Sequence, residues 1–123
     1  MNIVISNSNG KPIYEQITNQ IKAMILDGTL KSEDALPSIR LLAKELRISV
    51  ITTKRAYEEL EQEGFIVTQQ GRGSFVAKTN QEFMKEEQLR RIEESLQEAV
   101  DCAKMASIDE GYLQNMLATL YQE

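Results

Sequence analysis

Among 123 residues there is no histidine, no tryptophan, one cysteine and two prolines. Each shortage removes a class of function. Without histidine, the commonest general base and the commonest metal ligand are both missing. The single Cys102 excludes an intramolecular disulfide, and it leaves a zinc site only carboxylates and one thiolate. Cys102 sits at helical spacing among apolar residues, which reads as a buried or half-buried small side chain. Carboxylates can serve as acid–base groups, but here they fall in runs such as "YEELEQEG" and "RRIEESLQE", the pattern of solvated helix faces. No apolar run approaches the ~20 residues needed to cross a bilayer. The start, "MNIVISNSNG", has neither the basic region nor the apolar core of a signal peptide. These absences point to a cytoplasmic, non-enzymatic protein with no membrane segment, metal or cofactor.

What is present is ordinary for a folded chain: 41% hydrophobic and 27% charged residues, enough apolar content to exclude wholesale disorder. The length allows one domain, or one small domain with an appendage. The net charge of −5 is unevenly spread. Residues 1–78 hold ten Lys/Arg against nine Asp/Glu, a net of +1, whereas residues 79–123 hold four against ten, a net of −6. The acidity belongs to the C-terminal third, so the first part can still present a basic face.

Along the chain, "IVI" at 3–5 is the one candidate for a strand in the first ten residues. Pro12 suits a first helical turn. Ile13, Ile17, Ile21, Met24 and Ile25 then mark a single buried stripe, which Asp27-Gly28 ends. "TLKSEDALPS" reads as a connector whose Leu30 and Leu36 enter the core. Ser38 is an N-cap for a short helix with Ile39, Leu42, Ala43 and Leu46 inward. After about three residues, Ser49 caps a longer helix, Val50 to Glu63, with Thr53, Ala56, Tyr57 and Leu60 inward, and Gly64 stops it. Two helices joined so tightly form a helix-turn-helix. "FIVTQQGRGSFVAK" follows, two β-rich runs around a glycine turn, and so a hairpin.

From about Gln81 the pattern changes. Leu89, Ile92, Leu96, Ala99, Ala103 and Ala106 are spaced 3, 4, 3, 4, 3, a seam suited to packing on another helix. Ser107 and Glu110 match a capping box for a last helix carrying Leu113, Met116, Leu117 and Leu120. The fold class expected is mostly α with a small β-hairpin. A winged helix-turn-helix domain occupies residues 1–78, and a two-helix C-terminal dimerisation tail residues 79–123.

The segments "PIYEQITNQIKAMILDGTL", "LPSIRLLAKEL" and "RAYEELEQEGFIVTQQGRGSFVA" resemble, in order and spacing, the N-terminal domain of GntR-type bacterial transcription regulators. The short tail is similar to that of the YtrA branch of that family and too short for the ligand-binding or aminotransferase domains of other branches. The resemblance implies a homodimeric, operator-binding repressor.

The residues themselves suggest how duplex DNA would be held. A helix can enter the major groove and read base edges. The outward N-terminal face of the third helix offers Ser49, Val50, Ile51, Thr52 and Lys54, with Arg55 beside them. The helix start at Ser38 suits phosphate, and Arg40, one turn in, suits a bidentate guanine or phosphate contact. At the hairpin tip, Gln70, Gly71, Arg72 and Gly73 would bring Arg72 to the minor groove or its flanking phosphates. A two-fold dimer would give a palindromic site with half-sites about one helical turn apart. Its seam would be formed by Leu89, Ile92, Leu96, Ala99, Ala103, Leu113, Met116, Leu117 and Leu120.

Two departures from the family pattern leave alternatives open. Val50 and Ile51 stand where arginine or asparagine is frequent; they either meet thymine methyl groups or, for Val50, pack toward the second helix. Arg47 stands where glycine is frequent; it takes a left-handed conformation at a cost of roughly 1 kcal/mol, or the turn differs, or its side chain reaches a phosphate. Tyr14 fits either a phosphate contact or a partly buried aromatic. The tail helices could instead fold back on their own winged helix. A protein-docking module without specific DNA binding is the alternative function. An unknown small-molecule effector has room only between subunits, near Tyr112.

Overall fold

The computed structural model describes residues 1–78 and 81–123. The elements run α1 (Ile13–Leu26), α2 (Ile39–Leu46), α3 (Val50–Gln62), β1 (Ile66–Gln69), β2 (Gly73–Val76), α4 (Gln81–Met105) and α5 (Glu110–Gln122). They divide into two units, Met1–Met84 and Lys85–Glu123. The boundary expected between residues 78 and 79 abuts two positions that lie outside the described residues.

In the first unit, α1 and α2 both pack on α3. Their apolar stripes meet where the three-to-four spacing directs them: Ile17, Ile21 and Ile25 from α1, Leu42 from α2, and Ala56, Tyr57 and Leu60 from α3 are all buried. Ile66 and Val76 of the hairpin and Met84 of α4 complete this core, as do Leu30 and Leu36 of the connector. Each fully buried aliphatic side chain contributes about 1.5–3 kcal/mol. Two buried hydroxyls are satisfied locally. Thr53 Oγ1 donates to the Ser49 carbonyl at 3.1 Å. Tyr57 Oη donates to the Pro37 carbonyl at 2.6 Å, tying α3 to the entry of α2. Burial, and secondarily the charge of Glu45, raises the Tyr57 pKa far above the usual phenol value.

Two expectations for this unit need correction. Residues 3–5 form no strand. Ile3 is buried, but the Val4 backbone pairs with a side chain: its N–H donates to Gln20 Oε1 at 2.9 Å, and its carbonyl accepts from Gln20 Nε2 at 2.7 Å. One glutamine amide thus takes the place of a neighbouring strand. The connector, conversely, is partly sheet. Ala35 bridges Phe75, the Leu36 N–H donates to the Ser74 carbonyl at 2.9 Å, and the Val76 N–H donates to the Asp34 carbonyl at 2.8 Å. A short third edge therefore lies against β2, which pairs antiparallel with β1 in the register Ile66–Val76 to Gln69–Gly73.

In the second unit, α4 ends in a left-handed residue, Ser107 (φ 59°), and the Ile108 N–H closes back on the Ala103 carbonyl at 2.8 Å. Asp109, not Ser107, caps α5: its Oδ1 accepts from the Tyr112 N–H at 2.9 Å. Ser107 is consumed in ending one helix and cannot open the next, which corrects the expected capping box. Only Ala103 is buried here, at 5% exposure, with Val100 and Leu113 half-buried. Cys102, expected inside, is exposed, because its side of α4 finds no cover within the unit.

Candidate nucleic-acid interface

The surface begins with two caps. Ser38 Oγ accepts from the Leu41 N–H at 3.1 Å and starts α2, and Ser49 Oγ accepts from the Thr52 N–H at 3.1 Å and starts α3. Between the helices lie Arg47, Ile48 and Ser49. Arg47 adopts the left-handed conformation (φ 58°, ψ 46°). The Ile48 N–H bonds the Ala43 carbonyl at 3.0 Å, and Ile48 packs on the core, so the turn keeps its form without glycine.

The first turn of α3 faces outward. Ile51 is 81% exposed and Val50 47%, so both present hydrocarbon to solvent. Thr52 is half-buried, and its Oγ1 accepts the Ser49 hydroxyl at 2.8 Å. One turn on, Lys54 is exposed and its Nζ lies 3.9 Å from Glu58. Arg55 lies flat on Tyr14, its Cζ 3.7 Å from the ring centroid, with Glu59 at 3.6 Å from Nε. Tyr14 is half-buried. The sequence named both partners without joining them; the packing of α1 on α3 makes the pair, and no local signal foretold it.

Arg40 is exposed in the first turn of α2. At the hairpin tip, Gln70, Gly71 and Arg72 connect the strands, and the Arg72 N–H closes the turn on the Gln69 carbonyl at 2.9 Å. Gly71 (φ 81°) and Gly73 (φ 108°) hold positive φ. A Cβ at either would meet nothing within 4 Å, so conformation rather than crowding calls for glycine, and the tip is open to close approach. Arg40, Lys44, Arg47 and Arg72 enter no ion pair among the described residues. The first unit therefore presents a capped, exposed helix start, a glycine-tipped hairpin and cations without an ion pair among the described residues.

The proposed seam residues occupy the second unit. Leu89, Ile92, Leu96, Met116, Leu117 and Leu120 are exposed, Leu113 is half-buried, and Ala103 is enclosed within the unit itself. Ala99 is exposed and borders an apolar groove of about 270 Å³ between α4 and α5, lined also by Leu96, Val100, Leu113, Met116 and Leu117. No helix among the described residues is long and apolar enough to cross a membrane.

Residues 13–76 match the family described as bacterial regulatory proteins, gntR family. The chain is 36% identical over 107 residues to the HTH-type transcriptional repressor YtrA of Bacillus subtilis (strain 168), covering 87% of this chain and 82% of that one. Among solved structures it is similar to a transcriptional antiterminator from Listeria monocytogenes EGD-e (TM-score 0.74, 27% identity, 100% of this chain and 91% of that one). It is also similar to YtrA from Sulfolobus acidocaldarius, a GntR-family transcription factor (TM-score 0.60, 40% identity, 73% of this chain and 95% of that one).

Proposed function

The chain belongs to the GntR family of bacterial regulatory proteins, and from that premise we propose that it acts as a homodimeric repressor on a palindromic operator. It is a winged helix-turn-helix transcription regulator and not an enzyme. The observation that supports the proposal is the exposed start of α3, in a unit whose Arg40 and Arg72 are also exposed and enter no ion pair among the described residues. In this reading residues 1–78 hold DNA: α3 enters the major groove with Ser49, Val50, Ile51, Thr52 and Lys54. Ser38 and Arg40 meet the backbone or a guanine, and the hairpin tip from Gln70 to Gly73 carries Arg72 to the minor groove. Residues 79–123 join the two copies through the exposed apolar faces of α4 and α5, placing the pair in the cytoplasm with the genome. A small-molecule effector would then sit between subunits near Tyr112.

Selection of genomic fragments by the purified protein, followed by footprinting, tests this. The expected result is a two-fold symmetric footprint whose affinity falls steeply as salt rises, because bound phosphates release counterions. Absence of retention on any duplex at low salt overturns it. That outcome would favour a protein-docking module, to which the exposed Val50 and Ile51 also lend support.

A further inference from the structure

Building on the DNA-binding reading, we propose that Ile51, with Val50 beside it, selects operator half-sites by packing on thymine C5-methyl groups in the major groove. The first turn of α3 carries little polar reading capacity. Ser49 Oγ accepts from the Thr52 N–H and gives its proton to Thr52 Oγ1, so the cap hydroxyl is already committed. The two side chains that project furthest, at 81% and 47% exposure, are branched hydrocarbon. They can neither donate to guanine nor accept from cytosine or adenine.

The flanking charge identifies what covers them. Within the helix-turn-helix, Arg40, Lys44 and Arg47 make no ion pair among the described residues, and Lys54 is held only loosely by Glu58 at 3.9 Å. An apolar spot on a helix-turn-helix that also carries cations without an ion pair among the described residues fits a surface that is polyanionic overall and hydrocarbon at isolated points. In the major groove the hydrocarbon on a base edge is the thymine methyl. The polar contacts to backbone would then supply affinity, while this pair supplies the choice of base. Each methyl covered should strengthen binding about fourfold, the equivalent of about 0.8 kcal/mol.

The experiment takes the best footprinted fragment as a synthetic duplex and replaces half-site dT by dU, which deletes only the methyl. A second duplex carries the same replacement outside the footprint. Dissociation constants are measured by fluorescence anisotropy at one fixed salt concentration. Half-site replacement should weaken binding by about tenfold or more, and flanking replacement should leave it unchanged. The full-length Val50→Ser/Ile51→Ser double variant, whose sites lie outside the core, should bind the dT and dU half-sites equally. An unchanged dissociation constant for the dU half-site, or a half-site without thymine, overturns the inference while the salt-sensitive footprint still upholds the function. Absence of any footprint overturns both.

Discussion

In Met1–Met84, the isoleucines at 17, 21 and 25 of α1 vanish beneath α3; in Lys85–Glu123, the residues at 89, 92 and 96 of α4 lie open to water. Both sets follow the same three-to-four spacing, and the difference lies in what the chain supplies to cover them. The first unit brings three helices and a hairpin to one core. The second is a helical hairpin whose enclosed residue is one alanine. Arg90 of α4 is clamped between Glu87 at 2.9 Å and Glu94 at 2.6 Å, whereas Arg40, Arg47 and Arg72 of the first unit enter no ion pair among the described residues. The lesson is that helical periodicity records that a face must be covered and says nothing of whether the cover is intramolecular. The first unit is finished internally, and it pairs Lys22 with Glu63 and Arg55 with Glu59 while leaving Arg40, Arg47 and Arg72 without an ion pair among the described residues; the second leaves its hydrocarbon uncovered.

The sharpest break of this contrast is a pair of core and seam substitutions. Leu60→Ala should lower stability by about 2–5 kcal/mol at any protein concentration, because it hollows a fully buried site; urea unfolding measures it. Leu117→Glu should leave the first unit folded by circular dichroism yet convert the proposed dimer to single chains by analytical ultracentrifugation. A dimer that survives Leu117→Glu, or a wild-type protein that sediments only as single chains at micromolar concentration, removes the reason given for the open face.

The cations give a smaller effect. Arg72→Ala should weaken operator binding by about tenfold, the scale of one lost charge-assisted contact, and Lys85→Ala in α4 should not change it. Equal losses from both would erase the distinction between the regions.

Smaller still is the hydroxyl of Tyr57. Tyr57→Phe should cost about 1 kcal/mol through the lost bond to the Pro37 carbonyl. It should also flatten the alkaline limb of stability. The folded pKa is raised, so its contribution is complete below pH ~10, where the unfolded phenol begins to ionise, and is lost progressively above that. Urea midpoints at pH 8 and 10.5 for both proteins decide this.

At the helix junction, Asp109→Ala should cost about 1 kcal/mol and Ser107→Ala only a few tenths. Ser107→Gly should stabilise by up to about 1 kcal/mol by relieving a left-handed serine. Thermal melts of the three variants rank them.

What was legible in the sequence was mostly local. Ser38 and Ser49 were readable as caps because a cap needs only a side-chain oxygen and the next turn. Gly64 and Gly73 were readable because positive φ favours one residue type. The core of the first unit followed from the spacing of its isoleucines and leucines. Arg47 shows the limit: its conformation depends on Ile48 anchoring the turn, so position alone left it open. The edge formed by Ala35 was hidden because a single bridge has no alternating pattern. The stack of Arg55 on Tyr14 and the Gln20 amide on Val4 join residues 41 and 16 positions apart, and no local rule reaches them. Cys102 was misjudged for the reason the two regions differ: apolar neighbours in sequence are not a roof. At the candidate site, the apolar character of the α3 start became informative only once Val50 and Ile51 proved exposed.

The short edge at Ala35 has a mechanical consequence. It ties the strand leading to the hairpin tip to backbone only three residues before the Ser38 cap, and Leu36 is fastened on the way. Hydrogen bonds and a short covalent stretch therefore connect β2 to the base of α2. The hairpin is thereby fastened to the entry of α2 through main-chain bonds, and not through side-chain packing alone.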